Sequence, residues 1–293
     1  MASLKEIRIR IASVESTQKI TSAMKMVSAA KLRRAQNAIL NLRPYSNKLN
    51  EILQNLSESV ETSAELPLFQ KRPEIHVGIV VISSNRGLCG AFNTNVVKKV
   101  ESLLSTTFAQ QSASGNVKLY CVGKKAKEQL SKFHEISWFN ESVLETSSFE
   151  DMAQLGNTLM QDFVDHKLDV VKIVYNRFVN PATQDLVVED FLPIGHIQTV
   201  GEKQAHQNDY IFEPSKEEIL TALIPKILKL QLYKTVLDSI ASEHGARMTS
   251  MHKATDNATE ILKDLRLRYN NARQSSITNE LIEIVSGAEA LNN

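Results

Sequence analysis

The sequence predicts an α/β protein: an antiparallel coiled coil of long N- and C-terminal helices with an inserted Rossmann-like α/β domain. Three observations predict it. Thirteen of the 17 Gly and Pro residues, and all ten Phe, lie in residues 61–214, leaving only Pro44, Pro225, Gly245 and Gly287 in the 139 flanking residues. Gly and Pro punctuate helices, so their scarcity argues for long helices on both flanks. The charge divides along the same borders, +6 over residues 1–60, −5 over 61–214 and zero over 215–293, beneath an overall +1. The third observation is the spacing of the apolar residues in each flank.

In the C-terminal segment, alternating steps of four and three select Leu237, Ala241, His244, Met248, Met251, Thr255, Ala258, Leu262, Leu265, Tyr269 and Ala272. That is a sustained heptad seam, small in its middle. The stripe then jumps five residues to Ile277, Leu281, Ile284, Ala288 and Leu291. The N-terminal segment places Leu4, Ile7, Ile11 and Val14 on a seam, then Ile20, Met24 and Val27, and later Tyr45, Leu49, Ile52, Leu56 and Val60. Pro44 is expected to kink this helix without ending it, because the apolar pattern resumes at once. Helices over 3–59 and 215–293 would be about 85 and 118 Å long. Paired antiparallel, the first would end beside residue 272, and residues 273–293 would overhang with an apolar stripe and no partner in this chain.

The middle segment alternates strands and helices. Strands are expected at 75–82, 117–122, 170–178 and 186–192, with helices from about Asn93, at 124–133 and at 149–167. This alternation makes a sheet that is at least partly parallel. The domain boundaries follow as 1–60, 61–214 and 215–293.

Composition and motifs exclude several functions. At 42% hydrophobic and 23% charged the chain is globular. Its near-zero net charge argues against binding nucleic acid through bulk charge. Basic residues do cluster at Lys5, Arg8 and Arg10 and again at Lys31, Arg33 and Arg34, a pattern that RNA or an anionic membrane could bind, but no aromatics interleave with them. No apolar run reaches the ~18 residues of a membrane span. Cys89 and Cys121 form no CxxC pair, which points to a reducing compartment. The strand–turn–helix at Ser83–Ser84–Asn85–Arg86–Gly87–Leu88–Cys89–Gly90 could cradle a phosphate, yet it matches neither GxGxxG nor GxxxxGK[ST]. A tight turn requiring glycine explains it equally well. Cys89 has no visible histidine partner, and His244 and His252 are eight residues apart, unlike a metal pair. The acidic pairs Glu189–Asp190 and Glu217–Glu218 read as solvated faces. No catalytic, cofactor or metal residues are expected.

Three stretches carry a specific resemblance: TQKITSAMKMVSAAKLRRAQ at 17–36, SSNRGLCGAFN at 83–93, and SEHGARMTSMHKATDNATEILKDLRLRYNNARQSSITNELIEIVSGAEAL at 242–291. Together they resemble the gamma-subunit family of F-type ATP synthases, and the layout between them matches throughout. The resemblance implies a rotor: a coiled coil inside a ring of three alpha and three beta subunits, with the α/β domain near the membrane beside the epsilon subunit and the c-ring. Proton flow turns ring and shaft together, while catalysis belongs to beta. It further implies that Arg273, Gln274, Thr278 and Glu280 contact a beta loop, and that Met24 and Lys25 face beta. Acidic beta loops then become the expected partner of the basic clusters.

Two positions depart from the family pattern: Gly245 stands where Ala is usual, and Asn85 where Asp is common. The chain lacks the cysteine-bearing insertion of chloroplast relatives, so thiol regulation is not expected. With the motif starting by Thr17 there is no room for a transit peptide, which favours the cytoplasmic face of a bacterial inner membrane over a processed mitochondrial chain. The competing functions are a static coiled-coil tether and an enzyme using the RGLCG turn for nucleotide or phosphate.

Overall fold

A computed structural model describes residues 4–57, 67–194, 213 and 215–292. It divides into two compact units, residues 1–28 with 247–293, and residues 29–246. Helix α1 spans Leu4–Ser57 and helix α7 spans Lys216–Asn292; they run through Pro44 and Pro225. The expected stripe positions Leu56, Val60 and Leu291 have side chains outside the described residues.

In the larger unit the elements between these helices are β1 (Val77–Ile82), α2 (Phe92–Ser105), α3 (Ala109–Ala113), β2 (Val117–Val122), α4 (Lys124–Leu130), β3 (Ile136–Asn140), α5 (Val143–Thr146), α6 (Phe149–Val164), β4 (Val170–Phe178) and β5 (Gln184–Leu192). The strands form one sheet in the order β3-β2-β1-β4-β5. β1, β2, β3 and β4 are mutually parallel, and β5 returns antiparallel to β4. The central strand β1 is buried at every residue, as its unbroken apolar run requires of a strand covered on both faces. One face meets α2 and α4 through Ile79, Val81, Val96, Val100, Phe108, Cys121 and Leu130. On the other face Tyr120 donates to Asp162 of α6 at 3.4 Å, and Tyr175 lies within electrostatic reach of Asp238 of α7. The edge strand β3 was not expected. Its residues are exposed or only half-buried, so they make no apolar run.

Local chemistry sets the element ends. Ser148 caps α6 by accepting from the Asp151 amide at 3.3 Å, worth about 1 kcal/mol. Gly123, between β2 and α4, has φ of 96°, and a Cβ there would lie 2.4 Å from the Ser83 carbonyl oxygen. Only glycine fits. From Thr235 to Glu243 every residue of α7 is buried. Charged neighbours of Asp238 come from Arg43 of α1 on one side and from Arg177 and Glu189 of the sheet on the other. The helix is therefore enclosed between them.

In the smaller unit the N-terminal part of α1 pairs with the C-terminal part of α7. Arg8 meets Tyr269, Glu15 meets Arg266, Gln18 meets Thr259 and Thr21 meets Thr255, so numbers fall on one helix as they rise on the other. The pairing is antiparallel. On α7 the buried positions include Met251, Ala258, Leu262 and Leu265, all on the expected seam. On α1 the expected seam is half wrong. Leu4, Ile7, Ile11 and Val14 turn inward, but Ile20 and Val27 are 57% and 58% exposed. Strict steps of three and four continue instead through Gln18, Thr21, Lys25 and Ser28, which are buried or half-buried. Of these, Gln18 donates to Thr259 at 2.7 Å and Thr21 pairs with Thr255 at 2.8 Å across the seam, while Ser28 donates to the Met24 carbonyl of its own helix at 2.8 Å. A hydrophobic stripe alone therefore pointed to the wrong positions. In the larger unit the same count continues through Leu32, Ala35, Ile39 and Leu49, while Tyr45, expected inward, is exposed.

Candidate partner-binding surface

Helix α1 begins at Leu4, and Arg8 already faces Tyr269, so the helix pair runs out near residue 272. The Arg8 guanidinium donates to the Tyr269 hydroxyl at 2.9 Å and holds that phenol below its ordinary pKa, chiefly through the hydrogen bond. Beyond Ala272, every residue through Ala288 is exposed except Ser276, which is half-buried. The overhang read from helix lengths is present.

The overhang carries large apolar side chains: Ile277 is 48% exposed and Ile284 67%, with Leu281, Ile282 and Val285 also exposed. At about 100° per residue, Ile277, Leu281, Ile284 and Ala288 share one stripe, and Ile282 and Val285 widen it to one side. Gln274 and Thr278 fall within the widened face, and Arg273 and Glu280 lie along its other border. Thr278 donates to the Gln274 carbonyl at 2.9 Å, and Ser276 reaches the Glu280 carboxylate at 3.4 Å. Among the described residues neither Arg273 nor Glu280 forms an ion pair. An exposed apolar band of this size, edged by charge, is the signature of a protein contact.

Met24 and Lys25 lie elsewhere. The Thr21–Thr255 contact sets them level with the start of the paired part of α7, about 30–40 Å along the helix from Arg273 and Glu280. Both are half-buried, and Lys25 occupies an inward heptad position. Their neighbours Ile20, Met26 and Val27 are the exposed apolar residues there. The six expected contact residues thus form two separate patches. Sequence reasoning missed Gln18, Thr21 and Ser28, although counting the heptad without regard to polarity would have found them.

The RGLCG turn is closed upon itself. Asn93 accepts from the Ser84 amide at 2.9 Å and donates to Ser84 Oγ at 2.8 Å and Cys89 Sγ at 3.3 Å. Leu88 and Gly90 both have φ of 62°, which bends the chain back toward α2. Cys89 and Phe92 pack on Ala246 of α7. The turn joins sheet to helix, and its buried polar groups satisfy one another. Asn85 donates to the Glu141 carbonyl at 2.8 Å and accepts from the Lys124 amide at 3.1 Å, a pairing that an Asp carboxylate could not complete. His252 pairs with Asp256 on its own helix at 3.2 Å. Among the described residues no group of three His, Cys, Asp or Glu could hold a metal ion, and no helix is long and apolar enough to cross a membrane.

Two long terminal helices, paired antiparallel where α1 starts and α7 ends, with a mostly parallel sheet in the chain between them, define a class of long-helix proteins with an inserted α/β domain. A family profile described as ATP synthase matches residues 3–291. The chain is 52% identical over 292 residues to the ATP synthase gamma chain of Flavobacterium johnsoniae and 50% identical over 295 residues to that of Cytophaga hutchinsonii, covering 100% of each partner and of itself. The fold is similar to a chain in the Euglena gracilis mitochondrial ATP synthase (OSCP/F1/c-ring, rotational state 3), with a TM-score of 0.65, 20% identity, and 98% and 94% of the two chains covered. The chain belongs to the ATP synthase gamma-chain family.

Proposed function

We propose that this chain is the rotating central stalk of an F-type ATP synthase, carrying torque from a membrane ring of c subunits to the nucleotide sites of three beta subunits. As a family member it is a non-catalytic central-stalk subunit of that assembly. The observation that carries the reading is the overhang: residues 273–288 of α7 present an apolar face with no partner among the described residues, and such a face marks a surface that another protein covers. A ring of three alpha and three beta subunits supplies a sleeve of the right kind. Few polar groups on the overhang make strong bonds, which suits a tip that must turn against its bearing.

In this reading Arg273, Gln274, Thr278 and Glu280 meet a beta loop at the tip, and Met24 and Lys25 face beta some 30–40 Å away along the shaft. The domain of residues 61–214 lies at the membrane-proximal end with epsilon and the c-ring, between helices of residues 1–60 and 215–293. The complex sits on the cytoplasmic face of a bacterial inner membrane and moves protons. No nucleic acid is a partner, and the chain reaches the membrane only through the complex.

The test is reconstitution. Purified chain has no ATPase activity, while alpha and beta assembled with it form a stable complex with altered ATPase; no complex and unchanged ATPase would refute the proposal. A static tether differs in its response to truncation. Removing residues 280–293 would abolish a tether's attachment outright, whereas a rotor loses torque and coupling by degrees.

A further inference from the structure

The segment joining α1 to β1 is fastened to the end of α6. Its 3-10 turn at Pro67–Phe69 packs on α6, and the Ile194 amide, just past β5, donates to the Leu68 carbonyl at 2.9 Å. One strap therefore holds the chain both entering and leaving the sheet. Arg72 is its clasp. The guanidinium lies 4.7 Å over the ring of the buried Phe163 and donates to the Phe163 carbonyl at 3.0 Å, satisfying an acceptor at the helix C-terminus. It also meets His166 Nδ1 at 2.8 Å.

That last contact has only one consistent protonation pattern. A guanidinium has donors and no acceptor, so His166 Nδ1 must accept and the imidazole must be neutral. An imidazolium would set N–H against N–H and charge against like charge. We propose that Arg72 and His166 form a pH-sensitive clasp, closed when His166 is neutral and open when it is protonated. The imidazole is exposed to solvent, so protons reach it, and imidazoles ordinarily titrate between pH 5 and 8. Around the ring, Asp165 lies within electrostatic reach of His166, and Lys167 pairs with Asp165 and Asp162. Nearby, Nδ1 of His76, on the strap, meets the Asp169 carboxylate at 3.2 Å. His76 thus lies on the strap and is held through Asp169, whereas His166 faces the strap from the end of α6 and is met by Arg72.

Hydrogen exchange of strap peptides in the full chain, read as protection factors corrected for intrinsic rates, tests this. Protection over residues 67–76 is expected to fall about tenfold from pH 8 to pH 5.5, the worth of one hydrogen bond to a charged group. H166Q, whose amide oxygen accepts at any pH, keeps protection at both. R72A lacks it at both, and H76N retains the wild-type dependence. Equal wild-type protection at the two pH values overturns the proposal, as does a pH dependence that survives H166Q or vanishes in H76N.

Discussion

Buried side chains in the larger unit set the chemistry that single residues can do. Burial pushes the Cys121 thiol up to about 12, with Lys127 opposing weakly, so almost no thiolate exists near neutrality. Cys89 is also buried. A thiol reagent at pH 8 should therefore label neither cysteine in the native chain and both in urea. Asp238 is raised above its ordinary carboxylate range, first by burial and then by Glu189, against the opposing pull of Lys234, Arg177 and Arg43. A raised acid binds more protons folded than unfolded, so its penalty is absent below the unfolded pKa and grows as pH rises through the folded one. Asp238→Asn should raise the melting temperature at pH 8 and leave it nearly unchanged near pH 3. Gly123→Ala should cost at least about 2 kcal/mol by denaturant titration, because it combines a positive φ with a clash against Ser83.

The helices set two kinds of apolar surface side by side. Leu262 is 5% exposed on the seam, whereas Ile277 faces solvent only four turns further on. Leu262→Ala should cost about 2–3 kcal/mol in the isolated chain, from lost burial and a cavity. Ile277→Ala should cost under about 0.5 kcal/mol there but weaken assembly with alpha and beta, as a binding titration would show. At Gly245 the helix tolerates glycine for a reason of packing. A Cβ would sit 3.2 Å from Pro181 Cα and 3.3 Å from its carbonyl oxygen, at the turn between β4 and β5. The ~1 kcal/mol of helix propensity given up by glycine is thus offset by a close approach of that turn. Gly245→Ala should change stability by less than about 1 kcal/mol, since the two effects oppose.

For the whole molecule, the fold class was legible because it rests on long-range composition. Helix starts and four of the five described strands follow from where Gly, Pro and apolar runs fall, whereas α4 and α6 stop at Leu130 and Val164, short of the expected 133 and 167. The length of the overhang followed from counting residues at 1.5 Å each, and the Arg8–Tyr269 contact bears it out. Strand β3 and the inward polar positions of α1 were not legible, since both hide behind ordinary polarity. Ile20 and Val27 looked like core and Gln18 and Thr21 like surface; the pairing with Thr255 and Thr259 reverses this. The sequence by itself determined the helix–domain–helix layout, because propensity and periodicity act along the chain. Tertiary structure decided which polar side chains are inside and which apolar ones remain uncovered. That depends on what each residue meets across the seam, and no local pattern records it.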